Sequence, residues 1–155
     1  MSQPAAPAAT TRVPTWAVVA TGILVLVGLG ISAYLTYEHA TNNATLACSD
    51  SGRINCLLVT KSSYSKLMGI PVAYLGLAYF VVAVIVMLPP LWRLAGVFSL
   101  VRLVFAGAGL LFVFYLLWAE LFKLNAFCLW CSGVHVTVFL LFAITLIAEA
   151  MREPA

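Results

Sequence analysis

Charged side chains are scarce in this chain, which has eight Lys or Arg and five Asp or Glu among 155 residues. Charged residues make up 8% of the sequence and hydrophobic residues 64%, a balance that excludes an ordinary soluble domain and indicates an integral membrane protein. The net charge is only +3 and the basic residues form no cluster, which excludes nucleic acid as a partner. The chain is therefore expected to have the lipid bilayer as its solvent.

Four apolar stretches are long enough to cross that bilayer, since a spanning helix takes roughly 17–25 residues. With short connections they predict an all-α fold, a single four-helix membrane bundle over residues 15–151. An external loop is expected at residues 38–68. The predicted helices cover residues of about 15–37, 69–88, 94–121 and 127–151.

The N-terminal region is expected to be a tail followed directly by the first span. Residues 1–14 are rich in Ala, Pro and Thr, which predicts a disordered tail. The following apolar run is longer than the core of a signal peptide, and only Arg12 precedes it. We therefore interpret this run as a retained helix.

Cysteine is as rare as charge, with four residues in two unlike pairs. Cys48 and Cys56 lie in the external loop, whereas Cys128 and Cys131 form a C-x-x-C motif where the last apolar stretch begins. A helix start stabilises a thiolate at the first cysteine of such a motif. Ser132 stands where a c-type haem site requires histidine, which argues against haem attachment. Structural disulfides and a zinc site built from all four thiolates remain as alternatives to redox chemistry.

The cysteines also provide the best indication of orientation. Four spans put both termini on one side, and Lys and Arg divide four against four between the two sides, so the positive-inside rule does not decide. Paired cysteines belong in an oxidising compartment. We therefore expect cytoplasmic termini and a cysteine-bearing face on the external or periplasmic side of the cell membrane.

Three further features surround the cysteine pairs. Residues 57–68 have a partly amphipathic pattern that predicts a short helix lying on the membrane surface. His135 follows Cys131 by four residues on the same helix face, as either a packing residue or a donor to a quinone oxygen. Aromatic residues of the third span, Phe112 and Tyr115 with Phe114 and Trp118, offer walls for a ring-shaped ligand.

The order of these motifs resembles the vitamin K epoxide reductase family over nearly the whole chain. The resemblance rests on the wide Cys48 and Cys56 pair, Ser62, the Gly69-Ile70-Pro71 start of the second span and the C-x-x-C motif. Residues 69–76 and Asn55 beside Cys56 are especially similar to bacterial members. In DsbB-type oxidases, which also have four helices and four cysteines, the tight pair precedes the wide one, so the order here disfavours that family.

The resemblance implies a bundle around a quinone of the menaquinone, ubiquinone or vitamin K type, capped by the external half-helix. By position, Cys131 resembles the cysteine that passes electrons to the quinone, and Cys128 its partner that exchanges with the loop. Cys56 resembles the loop cysteine that reaches Cys128, and Cys48 the one attacked by a reductant from outside. Ser62 resembles the family's motif serine near the half-helix and is expected, with His135, Phe112 and Tyr115, at the quinone.

The expected function is a membrane thiol:quinone oxidoreductase that supports disulfide formation. Its reductant is expected to be a separate thioredoxin-fold (DsbA-like) protein, because no such domain follows in the 155 residues. Val72 and His135 stand where vertebrate members carry an asparagine and a tyrosine, which disfavours reduction of vitamin K epoxide. The epoxide or quinone reductase of a carboxylase cycle and a non-catalytic scaffold remain the alternative functions.

Overall fold

Four long helices make up most of the computed structural model, which describes residues 11–41, 48 and 52–154. Short elements connect them at both ends of the bundle. The helices are α1 (Thr15–Thr41), α2 (Cys56–Lys61), α3 (Val72–Val86), α4 (Val97–Trp118) and α5 (Leu129–Ala150). The strands are β1 (Thr11–Arg12), β2 (Lys66–Leu67), β3 (Ile70–Pro71) and β4 (Glu153–Pro154). Two 3₁₀ turns, Ser63–Ser65 and Pro89–Arg93, and a π-helical segment, Ala119–Leu124, complete the order.

The all-α membrane bundle predicted from the sequence is confirmed. The helices Thr15–Thr41, Val97–Leu124 and Leu129–Ala150 are long and apolar enough to cross a bilayer. Helix α3 is apolar but has only 15 residues. At a rise of 1.5 Å per residue it is about 22 Å long, shorter than a hydrocarbon core of about 30 Å.

The helix boundaries differ from the expected ones because short elements occupy the ends. The second helix starts at Val72 and not at 69, because β2 and β3 pair as a hairpin. Met68 and Gly69 at the turn have φ angles of 52° and 86°, as a primed hairpin turn requires. The third helix starts at Val97 and not at residue 94, because the 3₁₀ turn Pro89–Arg93 precedes it.

Two other helices end later than expected, and both extensions matter for the site. Helix α1 continues to Thr41, so Glu38 and His39 are helical and not part of the loop. The third helix continues to Leu124 through the π-helical segment, which Asn125 ends with a left-handed φ of 49°. Part of the expected loop, at 42–47 and 49–51, lies outside the described residues, as do residues 1–10 of the expected tail.

Helix α1 lies at the centre of the packing, against α3 on one side and α5 on the other, while α4 packs on α5. Gly28 allows the closest approach, because a Cβ atom there would overlap the ring of Phe80. Phe80 is fully buried. The main apolar core includes Val25, Phe80, Trp92, Val138 and Leu141.

The first and last described segments of the chain meet at one end of the bundle, opposite the cysteines. Strand β1 pairs with β4 in antiparallel register, so Thr11 and Arg12, expected in the tail, are paired with Pro154 and Glu153. Helix α1 runs from this end toward the loop, and α5 returns from the C-x-x-C motif to it. The cysteine pairs and the described termini therefore lie at opposite ends of the bundle.

A buried ion network ties this terminal end together. Arg102 is only 1% exposed and does not reach the surface, although its place in an apolar helix suggests that it would. Its Nε donates to Glu149 at 2.9 Å, and its Nη1 donates to the carbonyl of Leu91 at 2.8 Å. Arg152 donates to the second oxygen of Glu149 at 2.7 Å, and Ser99 also donates to this carboxylate. One carboxylate thus compensates two guanidinium groups.

Replacing Glu149 by Ala should destabilise the protein by about 3–5 kcal/mol, because Arg102 would stay buried without its partner. Unfolding of the detergent-solubilised protein by denaturant measures this change. Glu153→Ala is the matched control, because Glu153 is exposed and should change the unfolding free energy by about 0.5 kcal/mol or less. Equal losses for the two variants would contradict a stabilising role of the buried network.

Candidate functional site

The structure brings the four cysteines into one cluster at the end of the bundle opposite the termini. Cys48 and Cys56 form a disulfide with their Cα atoms 6.1 Å apart, whereas Cys128 and Cys131 are thiols. Cys56 and Cys128 are both fully buried and pack together with Val59 and Ala126. Cys48 and Cys131 pack against the same cluster and are only partly buried. The two pairs are thus neighbours in space.

A parallel backbone bridge holds the loop against the segment before the C-x-x-C motif. The Phe127 N–H donates to the carbonyl of Arg53 at 2.8 Å, and the Asn55 N–H donates to the carbonyl of Phe127 at 3.0 Å. Each of these segments leads directly into a buried cysteine, Cys56 after Asn55 and Cys128 after Phe127. The bridge therefore sets the register that places Cys56 beside Cys128.

Cys128 is the N-cap of α5, where the C-x-x-C spacing predicts a helix start. Its sulfur accepts a hydrogen bond from the Cys131 N–H at 3.2 Å. The pKa of Cys128 is lowered, chiefly by a hydrogen bond from the Cys131 side chain, although burial and the Glu120 carboxylate act in the opposite direction. Of the two thiols, Cys128 therefore has its thiolate stabilised by its neighbours.

The predicted surface half-helix is shorter than expected and starts at the loop cysteine itself. Asn55 caps it, with its side-chain oxygen accepting from the Leu58 N–H at 2.8 Å. Ser62 follows as a second cap, which accepts from the Ser65 N–H at 3.2 Å and donates to the carbonyl of Val59 at 2.9 Å. Asn55 and Ser62 thus set the path of the chain from Cys56 over the bundle.

A cavity of about 710 Å³ lies beneath this half-helix, and all four long helices contribute to its wall. Cys131 and His135 line it from α5, Phe112 lines it from α4 and Ser62 from the cap. Tyr115 is not among its lining residues. Tyr115 is 37% exposed on another face of α4, where its ring stacks with those of Phe112 and Trp118. Three of the four residues expected at a quinone therefore share one cavity, and Tyr115 does not.

Four polar atoms on the cavity wall are buried and have no hydrogen-bond partner in the described part of the chain. Two belong to carboxyl groups, the Oε2 atoms of Glu38 and Glu120, and the others are Tyr79 Oη and His135 Nδ1. Buried polar atoms usually have a hydrogen-bond partner. Four unpartnered polar atoms around one apolar cavity therefore indicate a ligand with polar ends. A quinone ring with two carbonyl oxygens fits this wall.

Three of these four residues, Glu38, Tyr79 and Glu120, are not among the site residues that the sequence predicts. Glu120 could have been found, because an ionisable residue within an apolar span is a functional candidate, but its place near the helix end favoured a surface position. Glu38 was assigned to the loop because the polar residues begin there. Tyr79 carried no signal within a helix that is apolar on every side.

A helical membrane bundle with a loop disulfide, a C-x-x-C dithiol packed against it and a cavity beside the second thiol has the parts of a membrane oxidoreductase that acts on thiols. The chain matches the model of the vitamin K epoxide reductase family over residues 19–146. This match covers most of the chain, and the protein belongs to the vitamin K epoxide reductase family. The resemblance found in the motifs is thereby confirmed.

Proposed function

We propose that the protein oxidises a separate thioredoxin-fold protein and passes the electrons through its two cysteine pairs to a quinone, supporting disulfide formation. The observation that carries this proposal is the contiguous cluster of all four cysteines with Cys131 on the cavity wall. A scaffold with structural disulfides does not require a dithiol beside a cavity. The proposed place is the cell membrane, with the cysteine end outside and the termini in the cytoplasm.

The first step is attack of a partner thiolate on the Cys48–Cys56 disulfide. The sulfur of Cys48 is the more accessible target, because Cys48 is partly exposed whereas Cys56 is fully buried. A mixed disulfide then joins the partner to Cys48, and Cys56 leaves as a thiolate. The second thiol of the partner attacks the mixed disulfide, which releases the oxidised partner and leaves Cys48 and Cys56 reduced.

The second step moves the electrons from the loop to an oxidised C-x-x-C motif. The Cys56 thiolate attacks Cys128 of a Cys128–Cys131 disulfide, which releases the Cys131 thiolate. Cys48 then attacks Cys56, re-forms the loop disulfide and releases Cys128. A thiol with a lowered pKa leaves faster, so the N-cap contacts of Cys128 assist this release. The resulting pairing, a loop disulfide beside two thiols, is the pairing present in the structure.

The last step oxidises Cys128 and Cys131 to a disulfide, for which a bound quinone supplies the acceptor of two electrons. His135 and Tyr79 would hold its oxygens with their unpartnered polar atoms, and Phe112 would pack on its ring. The side chain of Val72 lines the same cavity and cannot form a hydrogen bond, unlike the asparagine that vertebrate members carry at this position. This difference supports a plain quinone over the epoxide as substrate. Assaying the two substrates side by side separates these activities.

Replacing His135 by Phe should raise the apparent KM for quinone about tenfold, because one buried hydrogen bond contributes about 1–1.5 kcal/mol. Exchange between the partner and the loop disulfide should be unchanged. Thr145→Val is a matched control, since Thr145 is a buried polar residue of the same helix and does not line the cavity. Steady-state kinetics with a soluble quinone measure the change, and an unaltered KM in the His135 variant would remove His135 from the proposed site.

The proposal as a whole is tested with purified protein in detergent, a reduced thioredoxin-fold protein and a soluble quinone. We expect the ultraviolet absorbance of the quinone to fall as the partner is oxidised. A Cys128–Cys131 pair with a structural role would give no such turnover, and a zinc site would instead give stoichiometric metal on elemental analysis. Turnover by wild-type protein without bound zinc excludes both alternatives.

A further inference from the structure

Glu120 is an unusual carboxyl group, because it is buried at the cysteine end of the bundle and forms no ion pair with any residue that the structure describes. It is 3% exposed and belongs to the π-helical segment that extends α4. This segment is capped by its own backbone, since the Ala126 N–H donates to the Glu120 carbonyl at 3.3 Å. The Glu120 side chain lines the cavity. A π-helical turn is wider than an α-helical turn and is often found at functional sites.

Glu149 of α5 provides a comparison, because its side chain is also poorly exposed, at 5%. Glu149 accepts hydrogen bonds from Arg102 and Arg152. Glu120 forms no ion pair within the described ranges, and its Oε2 has no partner there. The nearest cation along the chain, Lys123, lies over the ring of Trp118 at 5.2 Å instead. Structural stabilisation therefore does not explain a carboxyl group at this position.

Glu120 is placed to exchange a proton with the C-x-x-C thiols. It lines the same cavity as Cys131 and His135, and its charge interacts with the sulfurs of both Cys128 and Cys131. The other titratable groups of this wall are Glu38, His39, Lys61, Tyr64, Lys66, Tyr79 and His135.

We propose that Glu120 accepts the proton of the Cys131 thiol and delivers it to a quinone oxygen, a role that rests on the proposed function. In this step the S–H bond of Cys131 breaks and an O–H bond forms on Glu120. Cys128 and Cys131 then lose two electrons in total and form one disulfide. These two electrons, the proton carried by Glu120 and the proton lost by the Cys128 thiol convert the quinone to the quinol. Glu120 returns to its carboxylate form when it gives up the proton.

This role follows from the cost of charge in a poorly solvated site. Ionising Cys131 beside an existing carboxylate would put two negative charges into the same apolar wall. Moving the proton from sulfur to the carboxylate leaves one negative charge throughout and avoids this cost. A glutamine at position 120 has the same shape but cannot take the proton.

The first test is redox-difference infrared spectroscopy of quinone-free protein, which compares the disulfide and dithiol forms of the C-x-x-C motif. We expect the C=O stretch of a protonated carboxyl group to change in intensity between the two forms. The change should disappear in Glu120→Gln and persist in Glu153→Gln, a matched control at the opposite end of the bundle. A change that persists in Glu120→Gln would overturn the assignment.

The second test is single-turnover reduction of a soluble quinone by the prereduced protein. Glu120→Gln should slow this step by about 100- to 10,000-fold, the usual contribution of a positioned acid or base. Glu120→Asp should retain most of the rate, because it keeps the carboxyl group. Exchange between partner and loop disulfide should continue in both variants, which shows that they are folded.

An unchanged rate in Glu120→Gln, with wild-type protein active, would overturn this role and leave the proposed function intact. A wild-type protein that does not reduce quinone would instead refute the proposed function.

Discussion

Replacing Cys131 by Ser should reduce quinone reduction to the rate measured without protein, a loss on the order of 1,000-fold or more. Cys131 is the only cysteine of the described residues that lines the cavity, so no other described sulfur can pass electrons to a ligand there. Serine has nearly the same shape as cysteine, but its hydroxyl oxygen forms no disulfide with Cys128. The measurement is the absorbance of a soluble quinone during turnover with a reduced thioredoxin-fold protein.

In the Cys131→Ser variant, opening of the Cys48–Cys56 disulfide serves as the control for folding and for partner recognition. The loop pair does not depend on Cys131 for its disulfide. The reduced partner should therefore still open the Cys48–Cys56 disulfide of Cys131→Ser at the wild-type rate in a single round, followed by trapping of free thiols. Quinone reduction that continues at the wild-type rate in this variant would contradict the assignment of Cys131.

The second large effect is expected at Cys56, the loop cysteine that contacts the C-x-x-C cluster. Cys56→Ser should abolish quinone reduction driven by the partner protein, because Cys48 alone cannot carry the electrons to Cys128. A small dithiol should still drive quinone reduction in this variant, since a molecule of that size fits a cavity of about 710 Å³ whose wall includes Cys131.

The two reductants therefore separate the two halves of the electron path. Cys56→Ser is expected to lose only the reaction with the protein reductant, whereas Cys131→Ser is expected to lose both. The rates of quinone loss with each reductant measure this difference. Equal activity of Cys56→Ser with the protein reductant and with the small dithiol would show that the loop pair is not on the path.

Local patterns predicted the parts of this site that depend on short stretches of chain. The C-x-x-C spacing at the start of an apolar run placed Cys128 at a helix N-terminus, where its sulfur in fact caps α5. The order of the cysteine pairs led to the family that the comparison confirms. The fold class followed from the apolar stretches, three of which are helices long enough to span a bilayer.

Features that depend on contacts between distant residues could not be predicted in the same way. The partner of Arg102 is Glu149, 47 residues away, so the sequence alone left the guanidinium without a visible reason to be buried. Helix α4 is apolar on nearly every side, and its rotation, which puts Phe112 on the cavity and Tyr115 outside it, leaves no trace in the sequence pattern. Helix α3 starts later than expected because the backbones of β2 and β3 pair as a hairpin around Met68 and Gly69.

The most direct test of the electron path is disulfide mapping of all four cysteines by non-reducing peptide analysis. Anaerobic protein is first treated with excess reduced thioredoxin-fold partner and then mixed with a soluble quinone, with acid quenching at successive times. We predict four free thiols before mixing, and then return of the Cys128–Cys131 disulfide, with one quinol formed per disulfide, before the Cys48–Cys56 disulfide returns. Four thiols that stay free after quinone is added, or a Cys48–Cys56 disulfide that the partner never opens, would contradict the account.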